Sequence, residues 1–404
     1  MKITDVKTVL LTGPCTNDPF LSEARKRRSA AFIEIYTDSG IVGIGETYAG
    51  YFVPELVPEI VKFFAPILIG QDPTNIQLLW QRMYQCGNYW CRVGLGSAVL
   101  SGIEAALWDI KGKKEKLPVY QLLGGAKHKR LLCYATGGPS NYPLENLEKK
   151  IEYYLSLGFV AVKIAAGSFT KEKGLVISSD PNQAADFEAG KLEFLRRRFG
   201  KNLLVMIDGH MGNNDSCVWN LQTAYAVLEA IKEYDIFFFE EPLHYTDIYG
   251  YANLCKMTQV PVAGGECLSS FSEWQIFVNS DCFDIGQPDA AFVGGLAEFM
   301  KVSDLLKGRN RKLATHSWGA GGAFMQNIHC GFACENTIIL EVAPAFGPLH
   351  SEIIDDDFYM KDGYVYPPSK PGLGIKLTDE IKNKYKFIPG SGEFNSVAGK
   401  VLRD

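Results

Sequence analysis

The chain has 404 residues, 47% apolar and 22% charged, with a formal net charge of −5. This is the composition of a globular protein long enough for one large core or two. The acidic balance, with no Lys/Arg patch interleaved with aromatics, excludes nucleic acid as an expected partner, and no run of about 18 uncharged apolar residues offers a membrane span.

The opening ITDVKTVLLT reads as a strand, without the apolar stretch of a signal peptide. SAAFIEIYTDSGIVGIGETY (29–48) reads as two strands joined at Asp38-Ser39-Gly40. Helical patterns follow in PELVPEIVKFFAPILIG, NIQLLWQRMYQ and GSAVLSGIEAALWDIKGKKEK. The last repeats apolar residues at i, i+3, i+4 and ends in lysines, as helix C-termini prefer. Three strands followed by helices, closed by PVYQLLGG, make an α+β layer over residues 1–125.

From about residue 130 short apolar strands alternate with helices: AVKIAAG, LLVMIDGH, IFFFEEP, PVAGGE, CFDIGQPD and KLATHSW, with KLEFLRRRFG, LQTAYAVLEAIKEY, YANLCKMT, SSFSEWQIFVNS and GLAEFMKVSDLLKGR between them. That is the sequence form of repeated βα units and a parallel sheet. A charged residue ends almost every strand: Lys163, Asp208, Glu240, Glu266, Asp289, His316 and, closing TIILE, Glu341. From Asp208 onward they recur roughly every 30 residues or slightly less, the repeat of a (β/α)8 barrel, whose active site lies at the strands' C-terminal ends. A doubly wound sheet would gather ligands at one switch point instead. The fold class is therefore α/β: a TIM-type barrel over 126–350 under an α+β N-terminal capping domain. The Pro/Gly-rich tail from 351 to 404, with YPPSKPGLGIKL, is expected to return to the capping layer.

Three carboxylates, Asp208, Glu240 and Glu266, end successive strands. Anions converging there repel and raise one another's pKa, and a hard divalent cation with all-oxygen ligands, Mg2+, removes the conflict. Glu241 alternates away from Glu240, whose inward partner two residues earlier is Phe238. Asp289 and His316 end consecutive strands. A carboxylate beside an imidazole fixes its tautomer and raises its basicity, as a general base requires. His210 follows Asp208 by two residues and points the same way, or is a plain loop histidine. Glu341 either shares a proton at a developing oxyanion or bonds a neighbour.

Ten cysteines without CxxC pairs read as reduced thiols of a cytoplasmic protein. The basic run EARKRR (23–28) is a solvated loop or one that meets an anionic substrate.

The pieces AVKIA, IDGH, FFFEEP, GGE, QPDAAFVGG, ATHSWG and ILE, in this order, resemble the enolase superfamily, mandelate racemase type, over nearly the whole length. The resemblance implies a modified barrel with a capping domain completed by the tail. It implies Mg2+ ligands at Asp208, Glu240 and Glu266, an Asp289–His316 dyad with His316 as base, and Glu341 and Lys163 at the substrate carboxylate. The second lysine of that family's Lys-x-Lys strand is replaced by Ala165, which removes the base on the opposite face and argues against two-base racemisation. His210 matches the Asp-x-His of acid-sugar dehydratases. The implied activity is dehydration of a sugar acid, an aldonate or aldarate, to a 2-keto-3-deoxy acid. The alternatives are a sugar-lactone cycloisomerase, a one-base epimerase, or a catalytically silent sugar-acid-binding protein. Arg25, Tyr48 and Tyr51 are candidates to meet the polyol chain, or the aromatics simply pack the lid. A homo-oligomer is expected by analogy.

Overall fold

The computed structural model describes residues 1–21, 26–137, 143–170, 174–213, 219–356 and 358–390. Strand β1 (Ile3–Pro14) pairs antiparallel with β2 (Arg27–Thr37), and β2 with β3 (Val42–Thr47). The β2–β3 turn falls where Asp38-Ser39-Gly40 places it, with Gly40 at φ +81°. Helices Val57–Leu68, Ile76–Gly87 and Leu95–Glu115 cover one face and bury Ile33, Ile35, Phe64, Leu79, Met83 and Ile103. Glycine at position 45 lets the long helix lie directly on β3, since a Cβ there would stand 2.1 Å from the Gly102 carbonyl oxygen.

The second unit is a closed barrel. Its strands are β4 (Leu131–Thr136), β5 (Ala161–Ala165), β8 (Leu204–Asp208), β9 (Phe238–Glu240), β10 (Val262–Gly264), β11 (Ile285–Gly286), β12 (Lys312–Ala314) and β13 (Thr337–Val342). All neighbours are parallel, and β13 pairs with β4 to close the ring. A small hairpin, β6 (Ser168–Thr170) with β7 (Gly174–Val176), lies outside it. Helices on the outer face bury the other side of each strand, which is why the strands read as unbroken apolar runs.

The chain then adds β14 (Met360–Lys361) and β15 (Tyr364–Val365), the latter antiparallel to β4. It continues to the capping sheet, where Thr12 N donates to Tyr385 O at 3.0 Å. Among the described residues no helix is long and apolar enough to cross a membrane.

One residue from each barrel strand fills the interior: Tyr134, Ala161, Met206, Phe238, Ala263, Ile285, Ala314 and Ile339. Side chains alternate along a strand, so residues two positions on form the next inward layer toward the C-terminal end. From Ala161, Met206, Phe238, Ala314 and Ile339 that step gives Lys163, Asp208, Glu240, His316 and Glu341. The apolar floor thus dictates which polar residues face the mouth.

The buried His329, on helix Gly321–Ala333, accepts from Tyr120 N at 3.1 Å, and burial pushes its imidazole down to about 3. The folded-state value lies below the unfolded one, so stability is fully present above about pH 6.5 and falls as acid protonates the unfolded chain first. Against His329→Gln, wild type should lose about 1.4 kcal/mol more per pH unit between roughly pH 5.5 and 4, read from urea unfolding. Parallel pH profiles would remove this role.

Candidate active site

The mouth is built around Lys163. Its ammonium donates to both oxygens of Glu240, at 2.9 and 2.8 Å, and lies 3.0 Å from Asp208 Oδ2 and 3.6 Å from Glu341 Oε2. Strand register sets Asp208 directly beside Glu240 across β8 and β9, whereas Lys163 pairs lower, with Met206, and its long side chain spans the step up to them. Burial alone would drive the lysine toward its neutral form, but Asp208, Glu240 and Glu341 outweigh it and hold its pKa well above normal. One cation does not balance this many acids: burial, then repulsion from Asp208, push the Glu240 carboxyl well up even beside Lys163. Tyr134, on the first barrel strand, donates to Glu341 Oε2 at 2.8 Å.

Glu266 departs from the two-residue step. The chain turns at Gly265, with φ +108°, a conformation that favours glycine, and Glu266 comes inward one residue late. It stands between two imidazoles: His316 Nε2 is 3.6 Å from its Oε2, and His210 Nε2 is 3.8 Å from its Oε1. Burial raises its carboxyl, but His316 and His210 together bring it below the usual range. His210 also arrives by a turn rather than by alternation. Its backbone takes φ +46°, and its half-exposed ring folds back so that Nδ1 lies 2.7 Å from Asp208 Oδ1. Burial pulls the imidazole down, but Asp208 and Glu266 hold it well above normal.

His316 and Asp289 are joined as their positions suggest. His316 Nδ1 lies 2.7 Å from Asp289 Oδ2, and the other oxygen, Oδ1, accepts from Asn327 Nδ2 and Ala291 N, each at 2.8 Å. Asp289 is thereby fixed from three sides, and it fixes the ring in turn. Burial lowers the imidazole, but Glu266 and the Asp289 bond carry it up to about 10.

The capping domain closes the mouth with aromatics. Tyr48 packs edge-on against His316, with centroids 5.3 Å apart, and stacks on Tyr51, whose hydroxyl accepts from Trp318 Nε1 at 3.0 Å. Arg28, the last residue of the basic run, stands over the Trp318 ring, with its guanidinium carbon 3.8 Å from the centroid. It is buried and donates to the Trp318 carbonyl rather than standing in solvent. Arg25 lies outside the described residues.

Residues that sequence reasoning passed over also belong here. Tyr134 sits on LLCYAT, a strand with little periodic signal. Asn327 is a helix residue known only through its bond. Gln287 occupies the inward layer above Ile285, buried, with neither amide atom bonded among the described residues. Glu241 takes φ +42°, which breaks the alternation expected to carry it away. It is buried, and burial, then Glu266, push its carboxyl up to about 8.

Asp208, Glu240 and Glu266 offer oxygen donors on three adjacent strand ends, and the donor chemistry and surplus negative charge fit Mg2+. Among the described residues no three Asp, Glu, His or Cys side chains stand together as a finished ligand shell. Lys163 bridges two of the acids, and the imidazoles lean on Asp208 and Glu266. Asp208 meets Lys163 through Oδ2 and His210 through Oδ1.

A barrel with its polar layer at the strands' C-terminal ends, roofed by an antiparallel sheet with helices, is an enzyme scaffold, and the comparisons give its kind. Residues 146–381 match the profile described as enolase C-terminal domain-like, and residues 8–124 match the mandelate racemase / muconate lactonizing enzyme N-terminal domain. The chain belongs to the enolase superfamily, in its mandelate racemase branch. It is 31% identical over 359 residues to arabinonate dehydratase of Saccharolobus solfataricus, covering 87% of this chain and 89% of that one. It is likewise 31% identical over 359 residues to D-galactonate dehydratase of Pectobacterium atrosepticum, with coverage of 87% and 89%. The crystal structure of 3,6-anhydro-D-galactonate cycloisomerase from Zobellia galactanivorans superposes with a TM-score of 0.80 at 29% identity, covering 95% of this chain and 99% of that one.

Mg2+ binding should expel protons held by the raised carboxyl and imidazoles, so affinity should strengthen with rising pH. Calorimetry in buffers of different ionisation enthalpy should show proton release with wild type and lost or much weaker binding with Glu240→Gln. Binding untouched by that substitution would remove Glu240 from the ligand set.

Proposed function

We propose that this chain is a Mg2+-dependent hydro-lyase acting on a sugar acid, an aldonate or aldarate, and forming a 2-keto-3-deoxy acid. The observation that carries this reading is the one-sided arrangement of base groups. His316, oriented by Asp289, faces the mouth from one side, while the strand position that would carry an opposing lysine holds Ala165. The relatives named dehydratases support the choice of reaction.

Asp208, Glu240 and Glu266 would hold the metal. Bound there, Mg2+ would supply the Lewis acidity that makes the proton α to a carboxylate removable. Lys163 and Glu341 lie next to that position and meet the substrate carboxylate as charge grows on it. His316 Nε2 takes the α-proton, and Asp289 holds the resulting imidazolium in place. The electron pair then expels the 3-hydroxyl, which needs a proton. His210, on the other side of Glu266, supplies it and leaves water. The enol product tautomerises to the 2-keto acid. Tyr48 and Tyr51, from the capping domain, cover the polyol chain and keep water from the base.

The superposed cycloisomerase favours one second reading, in which the same proton is removed but a ring oxygen leaves. A silent binding protein has no use for an imidazole held this tightly.

A panel of mono- and diacid sugars incubated with Mg2+ should show a 2-keto-3-deoxy product for at least one member. His316→Asn should reduce turnover by about 10²- to 10⁴-fold with Mg2+ affinity retained. Wild-type-like turnover in that variant would defeat the assignment. His210→Asn should keep solvent deuterium exchange at Cα while product formation stops; loss of both, or of neither, would show that His210 is not the leaving-group acid.

A further inference from the structure

The capping domain reaches the dyad through Glu46, the fifth residue of β3. This side chain is buried at the start of the barrel helix Gly321–Ala333. Its Oε1 accepts from Ala320 N at 2.7 Å and its Oε2 from Ala323 N at 2.8 Å. Its backbone is gripped by the same helix, with Glu46 N donating to Gln326 Oε1 at 2.8 Å and Gln326 Nε2 donating to Glu46 O at 3.1 Å. The helix's own sequence makes room: a Cβ at Gly322 would stand 2.8 Å from the Glu46 Cβ, and one at Gly319 would stand 3.0 Å from its Oε1. A carboxylate seated on a helix N-terminus satisfies N–H groups that have no partner inside the helix, and it complements the helix dipole. Here that carboxylate comes from the other unit of the fold.

What this helix carries gives the contact a consequence. Its first residues follow directly from the His316-Ser317-Trp318 segment. Two turns in, Asn327 donates to Asp289 Oδ1 and accepts from Ala290 N at 2.8 Å. Both members of the dyad therefore take their position from one helix, and Glu46 pins the end of it. We propose that Glu46 is a positioning residue for the reaction: it couples the seating of the capping domain to the alignment of His316 with Asp289. This rests on the reading of His316 as the base.

The test reads the dyad with and without turnover. In 15N-histidine-labelled full-length protein, the strongly downfield Nδ1 proton of His316, assigned by its loss in His316→Asn, reports the bond to Asp289. Glu46→Gln keeps the shape but turns one acceptor into a donor facing an N–H group. It should shift or broaden this resonance and lower kcat about 10- to 100-fold while KM changes little. Asp284→Asn serves as the destabilised control. It breaks a carboxylate contact to Val262 N and Arg311 next to the other end of β11, and it should lower the melting temperature while leaving the resonance and kcat as in wild type. A wild-type resonance in folded Glu46→Gln, or an equal disturbance in Asp284→Asn, overturns the proposal. If Glu46→Gln does not fold, Gln326→Met, which releases the Glu46 backbone, is held to the same two outcomes. A wild type inactive on every sugar acid would defeat the proposed function and leave the resonance to decide this inference by itself.

Discussion

The mouth of this barrel depends on charge compensation around one buried ammonium group. Asp208, Glu240 and Glu341 all lie within 4 Å of Lys163, and all four side chains are nearly inaccessible to water. Taking ions out of water costs several kcal/mol each, and their attraction offsets this only where geometry is good and the remaining lone pairs are satisfied. The barrel meets that condition by register at Asp208 and Glu240, which pair directly across β8 and β9, and by the length of the Lys163 side chain, which starts level with Met206 and reaches both. The arrangement still leaves an excess of negative charge. A surplus held in place by the fold is a standing affinity for a cation, and it shapes every proton position nearby.

That surplus also explains the state of the two histidines. Each leans toward Glu266, and each is held in its charged form by carboxylates rather than by solvent. An imidazole in this state is an acid. It becomes a base only when the negative charge facing it is taken up elsewhere, so cation binding and general-base function are two sides of one equilibrium. The asymmetry between His316, locked by Asp289, and His210, bonded to a carboxylate that would be needed by the metal, separates their roles. One ring is held by a carboxylate outside the proposed ligand set, and the other by a carboxylate within it.

Legibility in the sequence followed the physics of each element. Strands buried on both faces left apolar runs, and seven of the eight barrel strands stood out by them. The first, LLCYAT, is short and lacks a charged end, although GGPSN follows it directly. Residues that follow strict alternation, Lys163, Asp208, Glu240 and Glu341, were legible in both position and direction. Glu266 and His210 were legible as candidates but not in geometry, and Glu241 was expected to point away. Each sits at or just past a left-handed turn, at Gly265, His210 and Glu241, and a period-two argument ends where the strand does. Tyr134, Asn327 and Glu46 could not be read at all. Each acts through a bond to a residue 38 to 277 positions away, and no local pattern records such a partner.

This last group shows where the division into two units misleads. Treated apart, the capping domain is a lid that supplies aromatic surface and the barrel holds the chemistry. The hydrogen bonds do not respect that line. Glu46 caps one barrel helix from above, and Glu104, on the long capping helix, does the same for the preceding barrel helix, Leu296–Gly308, by accepting from Leu296 N at 2.8 Å and Ala297 N at 3.1 Å. That second helix begins after the loop that follows Asp289. The segments carrying both dyad members thus run into helices whose first N–H groups are satisfied by the capping domain rather than by their own surroundings. Removing the lid would leave those groups unpaired. A fold wired this way ties the seating of its cap to the segments that carry His316 and Asp289, so on the proposed reading a substitution in the capping sheet that never touches substrate would still act on proton transfer.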